Sequence, residues 1–178
     1  MSHRPIGLFL RSFVDNFIAA LMMLIGMKRA FQHLHPTPVQ FLTFLLGSLL
    51  TSFTFDFISE GWPGELQPVG FAAYLIPPFL WLIVGVFLAQ RYGVWRLILT
   101  PVILWLTADI MVGLLQSGIQ WAALSEWFPT ALSQWIPYVY PALFVWPTLA
   151  LMVLFGRQLA WVWWLRIISV GIAVTVLF

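Results

Sequence analysis

Runs of about twenty consecutive apolar residues recur along the chain, and they constrain its fold more than any other feature. As a helix, each run is long enough to cross the roughly 30 Å of hydrocarbon in a bilayer. The runs are continuous rather than alternating, which disfavours a β-barrel. Because 62% of the 178 residues are hydrophobic and only 8% are charged, there is too little polar surface to cover a water-soluble globule. The sequence therefore predicts an all-α, polytopic membrane protein.

Five of the runs are predicted to be transmembrane helices. Four of them cover residues 39–58, 71–90, 96–116 and 139–156, and the last follows Gly156-Arg157-Gln158 and extends to Phe178. Proline and glycine mark the connections, and the longest connection, residues 117–138, is predicted to form an interfacial helix or a turn. We therefore divide the chain into an N-terminal segment, residues 1–38, and a five-helix transmembrane domain, residues 39–178.

The N-terminal segment has an apolar stretch that polar side chains interrupt. These side chains recur at three- and four-residue spacing and so share one face of a helix; they are Arg11, Ser12, Asp15 and Asn16. This pattern is typical of an amphipathic helix that lies in the membrane interface. The alternative is that this stretch is a further membrane span.

Basic residues are confined to alternate connections. They are Arg4, Arg11, Lys28, Arg29, Arg91, Arg96 and Arg157, whereas residues 59–70 and 117–138 contain only Glu60, Glu65 and Glu126 as charged residues. Because cytoplasmic loops carry the excess of lysine and arginine, we expect the N-terminus in the cytoplasm and the C-terminus outside. The expected location is the inner membrane of a bacterial-type cell.

Two charged residues fall deep inside predicted spans. Asp109 is expected ~20 Å from the boundary marked by Arg96, and Arg166 roughly 13 Å deep in a span of the same direction. Since a buried ion costs several kcal/mol unless it is paired, we predict that both face the bundle interior, where they can pair. Alternatively, Arg166 snorkels to the interface, and Asp109 is protonated or bonds to Thr107, Thr148 or water.

Small and polar residues form packing faces on several spans. A four-residue spacing relates Ser48, Ser52 and Asp56, and Gly47 and Thr51 lie on the adjacent row. Such faces let membrane helices approach closely and form hydrogen bonds. Similar faces are predicted at Gly85-x-x-x-Ala89 and Gly171-x-x-x-Thr175.

Motifs that would indicate catalysis or a cofactor are missing from the sequence. It contains no cysteine, no G-x-S-x-G elbow and no phosphate-binding loop. His33-x-His35 supplies too few ligands for a metal site. The net charge of +2 does not favour nucleic acid. We therefore expect a non-enzymatic protein without a cofactor, whose partners are membrane lipids and other transmembrane subunits.

One stretch resembles a known family. The sequence LMMLIGMKRAFQHLHPTPVQFL, followed by five spans with short loops, is similar to the Yip1-type membrane domain. Residues 21–90 look like the membrane region that precedes the peptidase domain of bacterial legumain-like proteins. The resemblance covers residues 15–175 and implies five spans and a role in trafficking, scaffolding or complex assembly. The peptidase part and the polar N-terminal region of the eukaryotic members are missing here, so the family's function does not carry over directly.

The sequence leaves more than one function open. The expected function is that of a non-catalytic accessory, assembly or structural subunit of a larger membrane complex. The alternative is a transporter or channel for a small molecule, lipid or proton, built around Asp109 and Arg166; an intramembrane enzyme is a third possibility. A cavity at mid-membrane depth that reaches Asp109 would favour transport.

The predicted sidedness can be tested with a single thiol, because the chain contains no cysteine. A membrane-impermeant maleimide added to intact cells should label Glu65→Cys, since residue 65 lies in an acidic connection outside the cell. Tyr92→Cys, in a basic connection, should be labelled only after the cells are permeabilised. Labelling of residue 65 from the cytosol alone would contradict the predicted orientation.

Overall fold

The computed structural model describes residues 4–60, 68–125 and 128–156. These residues form helices and no strands, so the predicted all-α fold is confirmed. The helices, in chain order, are α1 (Arg4–Leu24), a first 3₁₀ helix (Lys28–Gln32), α2 (Pro38–Glu60), α3 (Pro68–Tyr92), a second 3₁₀ helix (Trp95–Ile98), α4 (Thr100–Ala123), the short α5 (Thr130–Ser133) and α6 (Ile136–Gly156).

Five helical segments are long and apolar enough to cross a membrane. They are Ile6–Leu24, Pro38–Phe57, Leu75–Tyr92, Trp95–Ala123 and Ile136–Phe155. The last four coincide with predicted spans, and the first belongs to α1, for which the sequence favoured an interfacial helix over a further span. The predicted span that ends at Phe178 lies outside the described residues.

Contacts between α2 and α4 show that these two helices run in the same direction. Ser48 of α2 donates a hydrogen bond to Asp109 of α4. About one turn further along both helices, the side chain of Thr51 lies beside Gly113. Since α3 connects α2 to α4 in sequence, it returns in the opposite direction.

Contacts between α4 and α6 show that these helices run antiparallel. The indole of Trp105 donates to Thr148, whereas Gln116, three turns later in α4, donates to the carbonyl of Tyr140, two turns earlier in α6. The start of α2, the end of α3, the start of α4 and the end of α6 therefore meet at one end of the bundle. This end carries the exposed Arg91 and Arg96; we call it the basic end and the other the far end.

The fourth helix, α4, lies at the centre of the bundle. It packs against α1, α2, α3 and α6. Residues 102–106 of α4 are almost completely buried, with at most 5% of their surface exposed. Apolar side chains on all sides of this helix explain its central place, because a helix that is hydrophobic all round is stable only when other helices or lipid surround it.

The N-terminal helix packs across the basic half of the bundle. Near its start, the carbonyl of Phe9 accepts a hydrogen bond of 3.3 Å from Gln40, and the ring of Phe13 stacks on Phe44 at 5.0 Å. Both partners lie in the first two turns of α2. A helix of 21 residues is about 31 Å long, so α1 runs obliquely over α2 rather than along it.

At its other end, α1 reaches α6. The carbonyl of Leu24 accepts a hydrogen bond of 3.1 Å from the indole of Trp146, in the second half of α6. Between these points, the amide of the fully buried Asn16 binds the backbone of His35 in both directions, at 2.8 and 3.4 Å. The helix is thus fixed across the basic half of the gap between α2 and α6, and the far half of that gap has no such cover from α1.

The far end of α4 differs from the prediction. Residues 117–123 were assigned to a connection, but α4 continues through them to Ala123. The side chains of Gln116 and Gln120 both bond to Tyr140 of α6. Their amides therefore have partners inside the bundle, and the helix can extend.

Close contact between α3 and the second 3₁₀ helix occurs at Gly85. A Cβ atom at this position would lie 2.0 Å from the carbonyl oxygen of Ile98. Only glycine allows the two backbones to approach this closely. The predicted packing face at Gly85 and Ala89 therefore contacts the turn that leads into α4, and Ala89 is 6% exposed.

Replacing Gly85 tests this contact. We expect Gly85→Ala to lower the free energy of unfolding by about 1–3 kcal/mol, because two backbone segments must move apart. Gly118→Ala is the matched control in α4: nothing lies within 4 Å of its added Cβ, so it should be neutral or stabilise the helix by up to about 1 kcal/mol. Thermal unfolding in detergent measures both, and equal effects would refute the close contact.

Candidate functional site

A cavity of about 450 Å³ lies between α2, α4 and α6, with one contact from α3. Its lining residues are Ser48, Thr51, Ser52, Phe55, Asp56, Pro77, Trp105, Asp109, Gly113, Gln116, Tyr140, Pro141 and Phe144. The cavity extends from the middle of α4 towards the far end of the bundle. It occupies the part of the gap between α2 and α6 that α1 leaves uncovered.

Asp109 lies at the inner end of this cavity. It is nine residues after Thr100, the first residue of α4, which places it about 14 Å along the helix. Its neighbours Ala108 and Ile110 are buried, whereas Asp109 retains accessible surface. Asp109 is among the residues that line the cavity.

Ser48 is the hydrogen-bond partner of Asp109. Its hydroxyl donates to Oδ2 at a distance of 2.6 Å. Ser48 lies ten residues after Pro38, at the start of α2, and α2 runs parallel to α4, so the two side chains reach the same depth. A hydrogen bond to a carboxylate is short and strong, and it fixes the carboxylate against α2.

Sequence reasoning proposed other partners for Asp109, and these residues bond elsewhere. The hydroxyl of Thr107 donates to the carbonyl of its own helix at Ile103. Thr148 accepts a hydrogen bond from Trp105. Ser48 and Asp109 lie ten and nine residues after the starts of parallel helices, a similarity in depth that agrees with their pairing but does not by itself select Ser48.

Close packing of α2 on α4 holds Ser48 and Asp109 together. A Cβ at Gly47 would lie 2.9 Å from Cδ1 of Ile110, and one at Gly113 would lie 2.7 Å from Cγ2 of Thr51. Glycine on each helix therefore receives a side chain from the other. The structure thus brings four predicted residues to the α2–α4 contact or its edge: Gly47, Ser48, Thr51 and Ser52.

The remaining predicted site residues have different places. Asp56 lines the cavity one turn closer to the far end than Ser52, whose hydroxyl donates to the carbonyl of Ser48 in its own helix at 3.0 Å. Arg166 and Gly171 lie outside the described residues. The pairing of Asp109 with Arg166 therefore stays a prediction.

Aromatic side chains form the walls of the cavity, and sequence reasoning did not assign them to a site. Trp105 is held by its hydrogen bond of 3.1 Å to Thr148. Phe55 of α2 meets Tyr140 of α6 edge to face, with ring centroids 5.7 Å apart and an interplanar angle of 80°. Aromatic residues are frequent throughout the chain, so their number alone could not identify those that face one cavity.

Polar groups lie at the far end of the cavity. The amide of Gln116 donates to the carbonyl of Tyr140 at 3.2 Å, and the hydroxyl of Tyr140 donates to Gln120 at 2.6 Å. Towards the basic end, the interior is closed by side chains with no exposed surface, among them Leu104 and Leu106. The cavity can therefore hold a solute through hydrogen bonds, apolar contact and the charge of its carboxylates.

No family model, curated protein or solved structure matches this chain. The resemblance of its sequence to the Yip1-type membrane domain therefore stays a prediction.

Removing the hydroxyl of Ser48 should destabilise the protein. Ser48→Ala leaves the Oδ2 atom of Asp109 without its donor, and we expect the free energy of unfolding to fall by about 1–3 kcal/mol. Ser52→Ala removes a hydroxyl that bonds only to its own helix, so its effect should be smaller. Thermal unfolding of both variants in the same detergent makes the comparison, and equal losses would mean that the Ser48–Asp109 bond contributes little.

Proposed function

We propose that this chain is a small α-helical membrane carrier whose solute enters the cavity from the far end and binds at Asp109. The observation that carries the proposal is a cavity of about 450 Å³ that reaches a carboxylate near the middle of a membrane-length helix. Acidic residues inside membrane spans are costly and are kept where they contact ions, protons or substrates. A protein that serves only as a scaffold has no need for such a cavity.

The helices around the cavity support this proposal. Pro77 of α3 and Pro141 of α6 both line it and both lie inside helices. Proline removes a backbone donor and so leaves a carbonyl of the preceding turn without its helical partner. Both helices continue through their prolines, and a carbonyl freed in this way needs another partner, which a neighbouring helix or water in a cavity can supply.

The closed basic side and the uncovered far side correspond to one of the two states of alternating access. Between Asp109 and the basic end the bundle is packed, and α1 lies across the gap between α2 and α6. Between Asp109 and the far end this gap forms the cavity. To release a solute at the basic end, α1 or α6 would have to move relative to α4. Movement of one group of helices against another around a fixed site is how such carriers work.

We further propose that the basic end faces the cytoplasm of a bacterial-type cell, in the inner membrane. The exposed Arg91 and Arg96 lie at this end, as the positive-inside rule requires. The oblique position of α1, with its contacts in the basic half, supports a cytoplasmic N-terminus. On this proposal the cavity faces the outside.

The second candidate is a non-catalytic accessory or assembly subunit of a larger membrane complex. The observation that favours it is an apolar row on the outer face of α3, where Phe79, Ile83 and Phe87 are 60%, 49% and 53% exposed and lie four residues apart. A partner helix could pack along such a row, because association in the bilayer depends on close contact.

Two-sided access to the cavity distinguishes the candidates, since a carrier exposes its site to each side in turn. Ser52→Cys introduces a nearly isosteric thiol into the lining of a chain that has no other cysteine. We expect a positively charged, membrane-impermeant methanethiosulfonate to modify it in both right-side-out and inside-out vesicles. Ser117→Cys is the matched control, because Ser117 is 7% exposed and is not part of the lining.

The rates decide the outcome. For a carrier, Ser52→Cys should react from both sides at least about tenfold faster than Ser117→Cys, because it lies in an aqueous path. Reaction from one side only, or from neither, would refute the carrier. Co-purification of other membrane subunits in fixed stoichiometry would then support the accessory subunit.

A further inference from the structure

The charge around the cavity indicates what kind of solute fits it. Asp109 receives one hydrogen bond from the described residues, at Oδ2 from Ser48, although a carboxylate can accept about four. The described lining includes a second carboxylate, Asp56, and no lysine, arginine or histidine. An ionised carboxylate away from water costs several kcal/mol unless positive charge compensates it. A cationic solute would supply that charge.

The walls favour an organic cation over a metal ion. Four aromatic side chains line the cavity: Phe55, Trp105, Tyr140 and Phe144. The face of an aromatic ring attracts a cation within about 6 Å of its centroid, and the attraction grows when the cation is removed from water. Aromatic rings supply no oxygen ligands, whereas Mg²⁺ and Ca²⁺ need about six or more of them in a tight shell.

The volume of the cavity is also typical of a binding site for a small organic molecule. The cavity holds about 450 Å³, within the range of roughly 300–1,000 Å³ that is typical of sites for small organic ligands. A single ammonium group with one aromatic or branched apolar substituent fits within this volume, and Asp109 and Phe144 are both in the lining.

From the carboxylate, the rings and the volume together, we infer that the cavity binds a small organic ammonium cation. Its nitrogen lies against Asp109, and its apolar substituent contacts Trp105 and Phe144. This inference rests on the proposed function and names the class of its solute.

Direct binding tests the inference with three probes of similar size. Benzyltrimethylammonium is the cation, benzyl alcohol the neutral molecule and benzenesulfonate the anion. The full chain is purified in detergent, and titration calorimetry measures each dissociation constant. We expect the cation to bind at least about tenfold more tightly than the other two, because only the cation compensates the carboxylate.

Three variants locate the binding. Asp109→Asn should weaken binding of the cation at least about tenfold, since it removes the charge and retains the shape. Asp15→Asn is the matched control, because Asp15 lies in α1, beside His35 and away from the cavity; it should leave the dissociation constant unchanged. Phe144→Leu keeps an apolar side chain but removes the ring, so it should weaken binding of the cation about threefold or more and leave the neutral probe unaffected.

The outcomes separate failure of this inference from failure of the carrier proposal. Equal affinity for the cation and the neutral probe, or binding of the cation that Asp109→Asn does not weaken, would overturn the inference. If the neutral or anionic probe bound instead and Ser52→Cys still reacted from both sides, the carrier would stand without its cationic solute. If no probe bound and the thiol reacted from neither side, both proposals would be wrong.

Arg166 is the competing occupant, since the sequence predicts that it can pair with Asp109. If the wild-type chain did not bind the cation and Arg166→Leu did, the carboxylate would already be neutralised within the chain, and the inference would be overturned. Greater stability of the double variant Asp109→Asn/Arg166→Leu than of either single variant would support the same conclusion. Binding by the wild-type chain that Arg166→Leu leaves unchanged would support the organic cation.

Discussion

The close, parallel contact of α2 with α4 is the interaction on which the rest of the structure depends. Glycine on each helix receives a side chain from the other, Gly47 from Ile110 and Gly113 from Thr51. Within a bilayer, helices gain little from excluding water and associate through such close packing. This contact sets the register of the two helices, and the register brings the hydroxyl of Ser48 to the carboxylate of Asp109.

The cavity follows from how the other helices are arranged around this pair. α6 packs on α4 and meets α2 through the rings of Phe55 and Tyr140, and α1 crosses the gap between α2 and α6 in the basic half. The far half remains hollow, with the carboxylate at its inner end. A polar site inside the membrane thus arises because a helix of about 31 Å covers its neighbours obliquely and only in part.

Much of the fold could be predicted from the sequence, because each span is a long apolar run and proline and glycine mark its ends. The packing face of α2 could also be predicted, since its small residues recur every four positions. The partner of Asp109 could not be predicted, because depth along a span does not show which helix lies beside it. The extension of α4 past Gln116 was missed for a related reason: its polar residues bond to Tyr140, which is far away in sequence.

The aromatic walls were the least predictable part of the site. The chain contains 31 aromatic residues (11 Trp, 4 Tyr and 16 Phe), and in the described part they occur both in the core and on the exposed surface. Only the rotation of each helix about its own axis decides that Phe55 and Tyr140 meet across the cavity. That rotation is set by the packing of all the neighbouring helices, which no local pattern encodes.

The contact at Gly85 has a mechanical consequence. With the backbone of α3 resting directly on the carbonyl of Ile98, there is no layer of side chains between them to slide or change rotamer. The end of α3, the second 3₁₀ helix and the start of α4 then form a stiff hairpin, to which α2 is attached through its own glycine contact. Shear between helices is then left to the surfaces of α1 and α6, where side chains such as Trp146 and Trp105 lie between the helices and can change rotamer.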